Sequence, residues 1–567
     1  MFPPVRGTRE MVAAANNLEV EAGFRILAAG GNAVDAGVAA VLAAGVTEQS
    51  RFGLGGEMPA IIHMSGREPV VISGIGTAPR AATPEFYRAR KPEPWEQPGR
   101  IPDLPVYGPL AAVVPGALDG LLLALQQYGT FSFAQVAAPA LEYADGFPIA
   151  EEFAALLRNY QRILQLWPTS SDFYFPNGSP PPDRGQLVRY PRLAKTLREL
   201  IQVEQKKRGN RVKKLQAVRD YIYRGPLAQR IAQFSASAGA LLTYEDLSGF
   251  HAELDRPVSI TFQGYEIYKP GFWSQGPVML QALQILEGFD LKSMGHNSAE
   301  YLHTVVEAVK LAFADRDRYY GDPKFSRIPA DILLSKAYAA ERRNLIDPQH
   351  ASLEHRPGAL GPPLDLSQTR RGEVALQDTT CVNVVDRYGN AFTATPSGAW
   401  LPGLIAGDTG IPLSTRLQSF VLIPGHPNLL APGKRPRVTL SPTFVTRNGK
   451  PILAMSTPGG DNQDQAMLQV LLNILVFDKT PQEAVEAPRF QTEHFYASLG
   501  DHGFAPGKLN LESRIPRETA ERLAVLGHRV SITGPWSNSS APTVILIKDG
   551  VLHGGADPRR ARFVFGR

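Results

Sequence analysis

Two adjacent threonines, Thr379 and Thr380, stand where a polar segment gives way to strand-forming residues, Cys381-Val382-Asn383-Val384-Val385-Asp386. A chain cut before Thr379 would give that residue a hydroxyl and a free α-amine together. An α-amine has an unperturbed pKa near ~8, so it can take the hydroxyl proton and no separate histidine is needed. The threonine could then attack an amide carbonyl and carry the acyl group. Taken alone, Asp378-Thr379-Thr380 reads first as an ordinary buried strand with threonine at its edge, so the surrounding chain has to decide.

A nucleophile of this kind needs a fixed strand behind it and an accessible segment before it. Residues 381–385, the turn Arg387-Tyr388-Gly389-Asn390 and residues 391–395 predict a hairpin. Residues 350–373 are rich in Pro, Gly, His, Arg and Asp without periodicity and read as a linker or mobile loop. That seam is what an internal cleavage before Thr379 requires.

Upstream, residues 18–29 predict a helix stopped by Gly30-Gly31, and Asn32 caps a second helix over 33–44 whose alanines and glycines permit close packing. Arg51-Phe52-Gly53-Leu54-Gly55-Gly56-Glu57 is glycine-rich but lacks the spacing and the Lys-Ser/Thr of a phosphate loop; it reads as a tight turn feeding a strand at 60–64. Residues 81–107 read as irregular surface, and Pro115 and Gly129 bracket a helix over 116–128. Helices continue to about residue 237, and a hairpin is expected across Gly264. Asn297 and Glu300 read as a capping box for a helix bearing Leu302, Val305, Val306, Val309 and Phe313. After Asp378 the texture turns to strands, with one clear helix at 465–477.

At 567 residues the chain exceeds a single core, so two lobes or one large multilayer unit is expected. A formal charge of +5 is small over that length, and no basic block with interleaved aromatics occurs, so nucleic acid is not an expected partner. The densest basic run, Lys206-Lys207-Arg208 to Arg211-Val212-Lys213-Lys214, reads as a solvated face. The single cysteine, Cys381, excludes an internal disulfide and a cysteine-based zinc cluster, and reads as packing. No metal-ligand spacing and no cofactor motif is found, so neither is expected. There is no apolar leader-like stretch and no apolar run of about 18 residues, so a soluble, cytoplasmic protein without a membrane partner is expected.

Several short motifs lie in order along the chain. They are Gly30-Gly31-Asn32-Ala33-Val34-Asp35-Ala36, Leu242-Thr243-Tyr244-Glu245-Asp246-Leu247, and Glu307-Ala308-Val309-Lys310-Leu311-Ala312-Phe313-Ala314-Asp315-Arg316. Gly321-Asp322-Pro323, Asp378-Thr379-Thr380, Lys434-Arg435-Pro436, Ser441-Pro442-Thr443, Pro458-Gly459-Gly460, Ala487-Pro488-Arg489-Phe490 and Ala556-Asp557-Pro558-Arg559 follow. With them in this order, the chain resembles the γ-glutamyltranspeptidase family of N-terminal-nucleophile hydrolases nearly end to end. The resemblance implies an α+β fold, a four-layer αββα sandwich. It also implies a precursor that cuts itself into a helix-rich large subunit, 1–378, and a strand-rich small subunit, 379–567; a further dimer of that unit is left open. By position, Thr379 would be the nucleophile of self-cleavage and acyl transfer, and Ser397 the second hydroxyl, which bonds the freed amine. Gly459 and Gly460 match the glycine pair whose N–H groups form an oxyanion hole; one such donor is worth about 3 kcal/mol. Taken alone, that pair reads as a simple turn.

The family's glutamyl-binding groups are incomplete. Its carboxylate-clamping arginine corresponds to Ile75, and its amine-pairing aspartate to Ser419. An asparagine after the second hydroxyl is Ala399, beside Trp400, and of two paired serines only Thr439 keeps a hydroxyl, next to Val438. An aliphatic side chain cannot replace a bidentate arginine–carboxylate pairing, and removing one partner of such a buried charge pair costs about 2–5 kcal/mol of binding. The expected substrate is therefore a small-molecule amide whose acyl group lacks a γ-glutamyl head: glutaryl-, oxamate- or similarly carboxylate-bearing. Arg416 and Arg51 are candidate cations for that carboxylate, each also readable as a structural ion pair. Trp400 walls the acyl pocket or belongs to the core. A genuine γ-glutamyltransferase or glutathione hydrolase with a relocated clamp is one alternative. An unprocessed, non-catalytic relative is another, opposed by the retained Thr379, Ser397 and glycine pair.

Overall fold

The strand Val382–Val385 shows the plan of the molecule in four residues. Val382 and Val384 join a helix-covered core, while Val385 joins a different one and Asn383 bonds to a second sheet. This is the two-residue alternation of a strand buried on both faces. The computed structural model describes residues 3–96, 102–366, 379–500 and 502–567.

Two seven-stranded sheets organise the chain. One runs, neighbour to neighbour, Val5–Gly7, Val551–Ala556, Thr543–Lys548, Lys450–Ser456, Thr443–Arg447, Tyr265–Lys269 and Val258–Phe262. The other runs Phe563–Gly566, Met11–Ala14, Val382–Val385, Ala391–Ala394, Met58–His63, Val70–Gly74 and Glu253–Asp255. Every pairing within them is antiparallel. Met11, Ile61, Phe444 and Ile545 meet between the sheets. The helices Asn17–Ala28, Ala33–Thr47 and Ala117–Tyr128 cover one outer face; Pro277–Leu286, Ala299–Tyr319 and Gln463–Leu475 cover the other. The result is the expected four-layer αββα sandwich.

Local signals explain much of this placement. Asn32 and Asp35 form a capping box at the start of Ala33–Thr47, all of whose residues are buried. A Cβ on Gly37 would lie 2.3 Å from the Phe392 ring, so only glycine lets that helix approach the sheet this closely. Asn383 pins the sheets together: it donates to Thr543 Oγ1 at 2.8 Å and accepts from Thr393 Oγ1 at 2.6 Å and Ser456 Oγ at 3.0 Å.

Three expectations are corrected. Ser298, not Asn297, caps Ala299–Tyr319, accepting from Tyr301 N at 3.1 Å; Asn297 takes a positive φ of 57° just outside the helix. Within 81–107, Pro84–Ala89 is a short helix capped by Thr83. Beyond Thr379 there are also helices at Pro481–Glu486 and Arg517–Val525, too short for an obvious apolar period. Each sheet draws strands from both sides of residue 378, so the change of texture there does not separate two layers. The expected linker falls within the described residues only as far as 366. Among the described residues no helix is long and apolar enough to cross a membrane.

Candidate active site

Thr379 lies just before the strand Val382–Val385 and forms an antiparallel bridge with Ser397, which bridges in turn to Glu57. Glu57 N donates to Ser397 O at 2.7 Å, and Ser397 N to Glu57 O at 2.9 Å. Glycine makes this approach feasible. A Cβ on Gly56 would sit 2.2 Å from Ser397 O, and one on Gly398, at φ +75°, would sit 2.0 Å from the Glu57 carboxylate. The glycine-rich loop does feed the strand Met58–His63, and it also carries Glu57 against Ser397.

Thr379 Oγ1 and Ser397 Oγ are 3.2 Å apart. Arg416 Nη2 donates to Ser397 Oγ at 2.7 Å and its Nε to Glu57 Oε2 at 3.2 Å, while Ser414 Oγ donates to the other Glu57 oxygen. The guanidinium lies over Trp400, with Cζ 4.7 Å from the ring centroid. All of these groups are buried. Burial draws Arg416 down from its ordinary pKa and pushes Glu57 up, and each charge opposes the shift in the other. The nucleophile candidate thus stands beside a hydroxyl with a compensated positive charge behind it.

Gly459 and Gly460 take φ of +120° and +55° between the strand Lys450–Ser456 and the helix Gln463–Leu475. A turn at a helix N-terminus presents N–H groups to an anion. A Cβ on Gly459 would fall 2.2 Å from Ser540 Oγ, whereas one on Gly460 would meet nothing within 4 Å among the described residues. The turn is braced: Gln275 Nε2 donates to Gly460 O at 3.2 Å, and Arg316 donates to Gln275 Oε1 at 3.2 Å and pairs with Asp461. On the oxyanion-hole assignment that the family resemblance implies, Gly459→Ala should lower kcat about 10²-fold with a smaller change in KM, measured by steady-state kinetics.

The other nominated residues divide. Trp400 packs on Arg416, and Ser419 belongs to the 3-10 turn Arg416–Ser419, its buried Oγ without a hydrogen-bond partner among the described residues. Thr439 presents its carbonyl to the Gln463 side chain, which also reaches Thr379. Arg51 is held by Glu48 at 3.4 Å and by Glu152, carboxylates of the helical layer rather than of the Thr379 group. Ile75 and Val438 share one apolar cluster with Tyr268 and Trp273, so hydrocarbon fills both of these departures from the family pattern. Cys381 is buried against Thr543 Oγ1, and burial pushes its thiol up from the ordinary value, in keeping with packing.

Sequence reasoning missed Glu57 and Gln463. A signal for Glu57 was present: a glutamate closing a run of glycines among Phe52, Leu54, Met58 and Ile61 must find a partner if buried. For metal binding, His303, Glu307 and His528 gather within 4.8 Å. However, His303 Nδ1 and His528 Nε2 bond each other at 2.9 Å, and Lys310 and Arg356 already compensate Glu307.

Comparison with known proteins gives the family. The γ-glutamyltranspeptidase family profile matches residues 20–566. Glutathione hydrolase proenzyme of Escherichia coli strain K12 is 32% identical over 99% of this chain and 92% of its own length. Acylase ACY 1 proenzyme of Pseudomonas sp. strain SE83 is 34% identical over 98% of this chain and 92% of its own. The crystal structure of cephalosporin acylase from Bacillus halodurans superposes with a TM-score of 0.85 at 30% identity, covering 100% of this chain and 97% of that one. The chain belongs to the γ-glutamyltranspeptidase family of N-terminal-nucleophile hydrolases and is, in class, an amidohydrolase or acyltransferase of that type.

Proposed function

We propose that this chain cuts itself between Asp378 and Thr379 and then hydrolyses or transfers acyl groups through the freed Thr379. The observation that carries the reading is the 3.2 Å contact between Thr379 Oγ1 and Ser397 Oγ. In the continuous chain the Thr379 nitrogen is a peptide nitrogen. Attack of Oγ1 on the Asp378 carbonyl carbon breaks the C–N bond, forms an ester and leaves the amine. Water then hydrolyses the ester, giving subunits 1–378 and 379–567. In turnover the amine takes the hydroxyl proton, Oγ1 attacks the substrate carbonyl, and N–H groups of Gly459 and Gly460 receive the oxyanion. The amine returns its proton to the leaving nitrogen, and water or an acceptor amine releases the acyl group.

The acyl group in this reading lacks a γ-glutamyl head and bears a carboxylate, as glutaryl and oxamate amides do. Support comes from Ile75 and Ser419 at the two clamp positions, with Ile75 in an apolar cluster. The acylases among the relatives support a range wider than γ-glutamyl compounds. Arg416 is the cation nearest Thr379 in this network, and a substrate carboxylate would share it with Glu57. A γ-glutamyltransferase or glutathione hydrolase is the second reading, favoured by the similarity to the Escherichia coli glutathione hydrolase proenzyme.

Chromophore release from a glutaryl anilide and a γ-glutamyl anilide tests the choice. The expected result is a kcat/KM at least about tenfold higher for the glutaryl compound, the discrimination that one missing polar partner gives. The reverse order would establish the second reading. An uncut chain inert toward both would contradict each of them.

A further inference from the structure

Gln463 opens the helix Gln463–Leu475, three residues beyond Gly460, and is fully buried. One atom of its side-chain amide lies 3.1 Å from Thr439 O and 3.3 Å from Thr457 O; the other lies 3.4 Å from Thr379 Oγ1. Carbonyl oxygens only accept, so the atom facing two of them is the NH2 group and the atom facing Thr379 is the amide oxygen. Rotating the amide would set its oxygen against both carbonyls and leave the NH2 without its acceptors. The side chain is therefore locked in one orientation.

We infer that Gln463 is a positioning residue for the nucleophile, an assignment that rests on the reading of Thr379 given above. Thr379 Oγ1 sits between Ser397 Oγ and the Gln463 amide oxygen. Those two neighbours select one of the staggered positions open to the threonine side chain. At 3.4 Å the Gln463 oxygen is distant for a hydroxyl donor, so it locates the threonine oxygen without holding its proton tightly. The NH2 group anchors this side chain to Thr457, two residues before Gly459, and to Thr439. One amide thus ties the nucleophile to the backbone leading into the glycine turn. The contribution of such placement appears in kcat and self-cleavage rather than in substrate binding.

Gln463→Met keeps the length and removes every hydrogen bond. Gln463→Glu, protonated in this buried place, keeps an acceptor toward Thr379 and one donor toward the carbonyls. Both are compared with the wild-type chain and with Thr379→Ala for self-cleavage, kcat, KM and melting temperature. The Met variant should cleave itself at least about tenfold more slowly and fall about 30- to 100-fold in kcat with KM within about threefold, and the Glu variant should recover part of that deficit. A folded Met variant with kcat within about twofold of wild type would overturn the inference, as would a folded Gln463→Leu with kcat within that range where the Met variant fails to fold. Inert Thr379→Ala beside a fully active Gln463→Met removes only the role of Gln463. Cleavage and turnover in Thr379→Ala would remove the nucleophile reading along with it.

Discussion

Thr379→Ala should remain a single 61.7 kDa chain and turn over amide substrate at least about 10⁴-fold more slowly than wild type. In the proposed mechanism the substitution deletes the oxygen that attacks in both reactions, and the neighbouring hydroxyl and thiol among the described residues are held in other roles. Ser397 is held by Arg416 and by paired backbone bonds to Glu57, and the Cys381 thiol is buried beside Thr543. The folding cost is small by comparison. The deleted hydroxyl faces Ser397 and Gln463, an interaction worth about 1 kcal/mol. An unchanged melting curve on an uncut, inactive chain thus separates missing chemistry from missing structure. Thr379→Ser keeps the hydroxyl and should still cut itself. A Thr379→Ala chain that splits normally would place the nucleophile elsewhere.

The second large effect concerns the charge pair behind Ser397. Arg416→Met should destabilise the protein by about 3–5 kcal/mol, because Glu57 is left buried with its charge unpaired. Glu57→Gln should cost a similar amount by stranding Arg416. The double variant should be destabilised much less than the two single changes summed, with a coupling of about 2–3 kcal/mol, since neither charge then remains. Urea unfolding of the four proteins measures this directly. Self-cleavage in the same set shows what the guanidinium gives the site: the double variant strands no buried charge but still lacks the donor to Ser397 Oγ, so it should process slowly. Strictly additive destabilisation would mean that the pair does not act as a unit.

The hairpin that follows Thr379 and the helix caps were legible in sequence because their signals are local, whereas the four-layer sandwich came only from the family resemblance. Valines alternate around Asn383, Gly389 turns with φ +78°, and Asn32 caps the helix that packs on Phe392. The site was legible only in part. Thr379, Ser397 and the glycine pair could be matched to family motifs, whereas the roles of charged residues depend on partners far away in sequence. Arg416 and Arg51 looked alike as candidate cations. Folding brings one to Glu57 and Ser397 and the other to Glu48 and Glu152, and no local pattern encodes that difference. Glu57 bridges to Ser397 across 340 residues of chain, a distance over which neither periodicity nor capping carries information. Asn297 misled because it and Ser298 are both good caps, and backbone geometry rather than composition chose the serine.

Mass spectrometry of the purified, mature protein tests most directly whether the amine of Thr379 is set free. Two fragments are expected, of about 41 and 21 kDa when 61.7 kDa is divided between 378 and 189 residues, with the mass and terminal sequence of the smaller placing Thr379 first. A small fragment beginning at any other residue, or an active preparation containing only the 567-residue chain, would contradict the mechanism.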